Sequence, residues 1–357
     1  MLKGIKGQTK SNMITYGMVL AAVIFAQIML ATGNVSRLMQ GLLVLLTVYV
    51  IMAVSLNFTV GILGELSLGH AGFMCIGAFA SATFTAYVRD GNMPQGLQFL
   101  FAMLIGAVAA AILGLVIGIP VLRLRGDYLA LVTLAFGEII MNVMNATHLG
   151  IDNSGLHFSL RDATGFSMGE EGRMLINGPL GILDIPQYST FLIGVVLVLI
   201  TIFIVTNMIN SRDGRAIMSI RDNRIAAESV GINITKYKLL AFTISAGLAG
   251  TAGVLYAHNM RVLDATPQNF GFHMSIMILV FVVLGGIGNI RGSIIAAVVL
   301  TMLPELLRGL ADFRMLIYAV VLIIMMLLNW APKALEIRER IVAKIPFLQK
   351  KGTGEIS

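Results

Sequence analysis

LMQGLLVLLTVYVIMAVSLNFTV, residues 38–60, is an unbroken run with no Asp, Glu, Lys, Arg or His. About 20 such residues span the hydrocarbon layer as a helix, some 30 Å thick. Helix is the form such a run must take there, because it satisfies every backbone group within the segment. Working outward, nine more segments repeat the pattern fully or nearly: 13–33, 67–88, 97–122, 128–147, 188–209, 239–258, 275–288, 292–308 and 313–331. The eighth and ninth in chain order are short and separated only by Asn289, Ile290 and Arg291. They read either as a tight hairpin of two spans or as one partly re-entrant element. The fold class expected is all-α, a polytopic transmembrane helical bundle of about ten spans.

Composition agrees. The 357 residues are 57% hydrophobic and 12% charged, with mean hydropathy +0.88; a soluble domain carries about 25% charged residues to solvate its surface. The net charge of +7 reads as the basic flanks that orient membrane helices. Nucleic acid is not expected as a partner, since no basic stretch is interleaved with stacking aromatics. Cys75 is the one cysteine, lies in an apolar run, and reads as a small packing residue. Lys3, Lys6 and Lys10 precede an apolar run from Met13 to Thr32. That run is longer than the 7–15 residues of a signal-peptide core, so a retained first span is expected. With the N-terminus inside and ten crossings, 18 of the 25 Lys and Arg residues fall on the inner side. A nine-span count would reverse this bias in the C-terminal half, so both termini are expected in the cytoplasm.

Residues 1–335 are expected to form one membrane domain, followed by a cytoplasmic tail at 336–357. Two longer hydrophilic segments interrupt the spans. The outer one, 148–187, is rich in Gly and Pro and reads as an irregular loop, with or without a small element of its own. The inner one, 210–238, carries six basic residues. Its Ala216, Ile217, Ile220, Ile225, Ala226 and Val230 give short amphipathic helices, broken near Asp222–Asn223 and at Gly231. Such helices rest on membrane lipid, dock into a partner's groove, or simply connect spans; mixed charge and a small apolar face favour protein docking.

Among the spans, NFTVGILGELSLGHAGFMCIGAFA (57–80) is the most unusual, with Gly61, Gly64, Gly69, Gly72 and Gly77 beside Glu65, Ser67 and His70. It reads as a broken helix lining a polar path. Equally, it reads as an inner turn at 61–66 followed by a packing helix, with small pairs at Ala71–Cys75 and Gly77–Ser81. Glu138 lies within the fifth span, with Thr133 before it and Asn142 and Asn145 on its helical face. A carboxylate at that depth faces a partner or an aqueous cavity. An interhelical hydrogen bond and a transport role both fit. Glu65, Ser67, His70, Thr133, Glu138 and Asn142 are the translocation-path candidates. The five histidines lack metal-ligand spacing, no catalytic set is apparent, and no Gly-Lys dipeptide exists, which excludes a P-loop in this chain.

The inner segment GRAIMSIRDNRIAAESVGINITKYKLLAFTISAGLAGTAGVLYA resembles the coupling-loop region of LivM-type permeases, the membrane subunits of branched-chain amino-acid ABC importers. The likeness continues in LNFTVGILGELSLGHAGFMCIGAFA, VLRLRGDYLALVTLAFGEII, FVVLGGIGNIRGSIIAAVV and PELLRGLADFRMLIYAVVLIIMMLL, in family order from about residue 50 to 335. It implies a non-enzymatic permease in a bacterial or archaeal cytoplasmic membrane, paired with a LivH-type permease subunit. It also implies two cytoplasmic ATPase subunits that bind the ATP and Mg, no cofactor on this chain, and an external solute-binding protein. Gly214, Arg215, Arg221, Asp222, Ala226, Ala227, Glu228 and Gly231 match the loop that docks on the ATPase. Asn223 and Arg224 stand where the family usually has acidic residues. Three other functions are weighed against this one: the same machinery carrying urea or short-chain amides, an ion-coupled secondary transporter using Glu138, Glu65 and His70, and a membrane-embedded enzyme.

Overall fold

The structure, a computed structural model, describes residues 15–20, 22–24, 26–27, 37–89, 93–124, 126–152, 155–161, 172–307, 316, 319–320 and 323. It divides into two compact units between Val298 and Val299. Among the described residues seven helices are long and apolar enough to cross a membrane, and they correspond to the second through eighth expected segments. Most of the first and tenth segments, and the whole C-terminal tail, lie outside the described residues, so the count of ten is not reached here. The ninth is the helix Ile290–Leu306, 17 residues with Pro304 inside it.

In chain order the main helices are α1 (Arg37–Asn57), α2 (His70–Val88), α3 (Gln95–Val121), α4 (Asp127–Ala146) and α5 (Phe191–Asn210). The short α6 (Arg212–Asp222) and α7 (Arg224–Ser229) precede α8 (Ile234–Ala257), α9 (Pro267–Phe270), α10 (Phe272–Gly285) and α11 (Ile290–Leu306). α1 runs on through a π-helical turn, Phe58–Leu63, whose six residues are all buried. That turn ends where Gly64 takes a left-handed conformation (φ 79°).

α1, α2 and α8 form the interior, and α3 is peripheral. Along α3, Leu100, Leu104, Val108, Ile112, Leu115 and Ile119 are exposed. Its other face carries Gly106, Ala110, Gly114 and Gly118, four residues apart, so the backbone can approach α8 closely. The glycines of α2 serve the same end. A Cβ at Gly72 would meet Gly137 of α4, one at Gly77 would meet the backbone of Gly250, and Gly253 abuts Met74 and Ala78. The 57–80 stretch is thus the buried π-helical turn Phe58–Leu63, a non-helical link at 64–69 and a glycine-rich packing helix.

The all-α expectation needs one correction. Segment 148–187 holds a three-stranded antiparallel sheet in the order β2-β1-β3, from β1 (His148–Asp152), β2 (Gly155–Ser159) and β3 (Arg173–Asn177). β4 (Ile182–Leu183) pairs with β5 (Val262–Leu263). These strands lie between spans, where a chain too polar and glycine-rich for helix satisfies its backbone by pairing.

Connections segregate to two ends of the bundle. At one end Asn57 bonds Gly288 and Ser293, and Arg221 bonds Gly61. At the other, Arg89 pairs with Asp184 at 2.7 Å, Ile185 N–H donates to Arg261 O, and Tyr188 Oη–H donates to Gln98 Oε1. This is the alternation that successive crossings require.

Candidate functional site

The first of these ends gathers most of the polar residues singled out in the sequence. It is built around the turn that joins α1 to α2. The residues before and within it are fixed from the side: Asn57 Oδ1 accepts from Gly288 N–H at 2.8 Å, and its Nδ2 donates to Ser293 Oγ at 3.0 Å. Both sides of that amide are buried, and its partners lie more than 200 residues on in the chain.

The translocation-path candidates do not form one polar channel. Glu65 makes an ion pair with Lys238 of α8, and both side chains are largely shielded. Removing one partner of such a pair strands the other charge and typically costs about 3–5 kcal/mol. His70 Nε2 lies 2.8 Å from Ser55 Oγ, deep between α1 and α2. Ser245 of α8 donates to Ser55 O at 2.5 Å. The Ser67 hydroxyl is buried without a hydrogen-bond partner among the described residues. Thr133 Oγ1 accepts from Leu68 N–H at 3.0 Å while donating to Ala130 O.

Glu138 stands apart from these. Its carboxylate accepts the Phe272 N–H at 2.6 Å, at the first turn of α10. There it answers both an orphan donor and the positive end of the helix dipole. Asn142 is exposed and donates to Glu138 O in its own helix. Thr133, Glu138 and Asn145 (Nδ2 to Ala265 O, 2.7 Å) thus make α4 a post that satisfies backbone groups of two neighbouring segments.

Segment 210–238 folds as α6 and α7 with a sharp break. Ser211 caps α6 by accepting from Gly214 N–H, and Asn223 caps α7 by accepting from Ala226 N–H, both at 3.0 Å. Gly214 is buried, and a Cβ there would strike the carbonyls of Met208 and Ile209, so the tight α5–α6 corner requires glycine. Gly231 ends the loop at φ 84°, a conformation that favours glycine. Ile220, Ala227 and Ile234 form a small buried cluster with Ile232 and Tyr237 packed on it, so the loop is a folded unit and not a solvated strand of chain.

Of the eight loop residues that match the family pattern, Gly214 and Ala227 point inward, while Arg215, Asp222, Ala226, Glu228 and Gly231 are exposed. Arg221 does both: its Nε and Nη2 donate to Asp222 Oδ1, and its Nη1 donates to Gly61 O at 2.9 Å. Ile225 and Val230 remain 81% and 74% exposed on this otherwise polar surface. Both are outside the small cluster of Ile220, Ala227 and Ile234.

Sequence reading passed over Lys238, Asn57, Ser55 and Ser245. Lys238 had a usable signal, because it shares one helical face with the buried Ile234, Ala241 and Ser245. Ser55, Asn57 and Ser245 had none beyond being polar within apolar runs. Among the described residues no group of His, Cys, Asp and Glu could hold a metal.

Comparison with known proteins bears on this geometry. The family described as the permease component of branched-chain amino acid transport systems matches residues 38–329. The chain is similar to the high-affinity branched-chain amino acid transport system permease protein LivM of Salmonella typhimurium, at 33% identity over 98% of this chain and 81% of that protein. It is similar to LivM of Escherichia coli at 34% identity, over 94% of this chain and 77% of that protein. It is also similar, at 26% identity over 65% of this chain and 71% of the relative, to the nucleoside ABC transporter permease protein NupC of Lactococcus lactis. No solved structure matches.

Proposed function

Because the chain belongs to the permease family of branched-chain amino acid transport systems, we propose that it forms half of an ATP-driven pathway importing branched-chain amino acids. A second permease of the LivH type supplies the other half. Two cytoplasmic ATPases bind ATP and Mg, and an external solute-binding protein delivers the cargo. The chain is a multi-pass membrane permease; the 210–238 segment and both termini face the cytoplasm.

The observation that carries this reading is the folded loop α6–α7 with Ile225 and Val230 on its outside. A helix pair with its own buried core and an apolar pair turned outward suits a groove on a soluble partner. The chain has no P-loop, so in an ATP-driven system the ATP is hydrolysed by such a partner. Cycles of ATP binding then shift the loop, and the spans attached to it alternate access from one side to the other. The choice of cargo rests on the LivM relatives, which cover more of the chain at higher identity than the nucleoside permease does.

Reconstitution tests it. The chain, a LivH-type permease, their ATPases and binding protein are placed in vesicles and offered labelled leucine, isoleucine or valine. ATP-dependent uptake is expected, with urea, acetamide and nucleosides taken up no faster than by empty vesicles. Uptake by this chain alone on a pH or sodium gradient would overturn the reading.

A further inference from the structure

The turn after α1 is gripped from two directions. Arg221, at the end of α6, donates through Nη1 to Gly61 O. Its stem lies against Gly64, where a Cβ would meet Arg221 Cγ at 2.5 Å. Lys238, near the start of α8, forms the ion pair with Glu65. In the chain these two cations bracket α7 and its exposed Ile225 and Val230. Asp222 accepts from two other nitrogens of the same guanidinium, which fixes the direction of the Arg221 fork.

On its far side the turn is tied to other membrane elements. Asn57 holds it to Gly288 and Ser293, and Leu68 N–H holds it to Thr133 of α4. Within and beside the grip, the hydroxyls of Thr59 and Ser67 are buried without a hydrogen-bond partner among the described residues. Buried polar groups are nearly always paired. Two such hydroxyls beside one turn make it a polar element within the apolar bundle.

We infer that residues 61–65 are the element on which the docking loop acts inside the membrane domain, with Arg221 and Lys238 as the positioning residues that grip it. This rests on the ATP-driven reading above. A shift of α7 moves α6 and the start of α8 together. Two cations at the two ends of a five-residue turn transmit that shift in both directions to the ends of α1 and α2.

The test uses the full complex in vesicles and reads uptake per ATP hydrolysed, alongside recovery of the ATPases with the permease. Lys238→Met and Glu65→Gln are each expected to lower that ratio about tenfold while the ATPases still co-purify; Arg221→Met, at a position that also belongs to the docking loop, is expected to lower the ratio about tenfold in the complex that is recovered. The exchanged pair Glu65→Lys with Lys238→Glu should restore it to within about threefold of wild type. Arg221→Lys, which loses the fork, should recover only part. Less assembled complex with an unchanged ratio means a merely structural role and overturns the inference, as does an exchanged pair that restores nothing. Should a single variant fail to insert, the exchanged pair, which keeps both charges, supplies the same ratio. Wild-type complexes showing no ATP-dependent uptake overturn the ATP-driven reading and this inference with it. Coupled wild type with equally coupled variants overturns this inference alone.

Discussion

Three helices meet at Gly77, Gly106 and Gly250, and replacing the first by alanine measures how much that meeting is worth. A methyl at Gly77 would fall on the backbone of Gly250, and Gly106 in turn faces Gly77 O and Val254. Backbone cannot rotate aside as a side chain can, so α2 and α8 must move apart. Overpacking a dense interior costs roughly 1–3 kcal/mol, and the better helix propensity of alanine returns up to about 1 kcal/mol. With the contact on backbone the upper end applies, leaving a net loss of about 2 kcal/mol, or roughly a 30-fold fall in the folded-to-unfolded ratio. Gly41→Ala in α1 is the matched control, since nothing among the described residues lies within 4 Å of its Cβ position. There only the propensity term remains, and a gain of up to about 1 kcal/mol is expected. The assay is unfolding by SDS in mixed micelles, followed by circular dichroism. Gly77→Ala should unfold at lower SDS than wild type and Gly41→Ala at equal or higher SDS. Equal shifts in one direction would refute the argument that close approach, not residue type, sets the sign.

Asn57→Ala removes both amide bonds and leaves the Gly288 N–H without its acceptor; a loss of about 1–3 kcal/mol is expected in the same assay, and no loss would mean the turn at 286–289 is held by other contacts. Glu138→Gln keeps an acceptor for the Phe272 N–H whereas Glu138→Ala does not, so the first should cost about 1 kcal/mol or less and the second about 1.5–3 kcal/mol. If Glu138→Gln instead abolishes uptake with stability intact, the carboxylate works in transport and not as a helix cap. Ile225→Asp combined with Val230→Asp changes only exposed positions, so the unfolding midpoint should stay put while recovery of the ATPases with the permease falls about tenfold; undiminished recovery would place the docking surface elsewhere.

Spans are legible because hydrocarbon imposes a rule of length and polarity that residues 38–60 or 191–210 satisfy on their own. Local chain chemistry is nearly as open: the breaks expected near Asp222–Asn223 and at Gly231 fall where Asn223 caps α7 and where Gly231 takes φ 84°. Pairings across the bundle are not written in any one stretch. Glu65 and Lys238 stand 173 residues apart, and from sequence the lysine counts only as one more positive charge on an inner loop. Only the buried face it shares with Ile234, Ala241 and Ser245 shows that its stem enters the bundle. Once inside, an ammonium needs an anion, and Glu65, exposed to one short turn by the end of α1, lies within its reach. The same logic explains why Glu138 was ambiguous. A membrane carboxylate must be satisfied, but whether by cargo, by water or by the N–H of Phe272 depends on where α10 begins. That starting point is set by Gly271 and the short α9 before it, more than 130 residues along the chain from the carboxylate. The polar residues of these spans therefore divide by what they meet across the bundle, which is why a list drawn from sequence gathers helix-cap residues such as Glu138 and joint residues such as Glu65 without separating them.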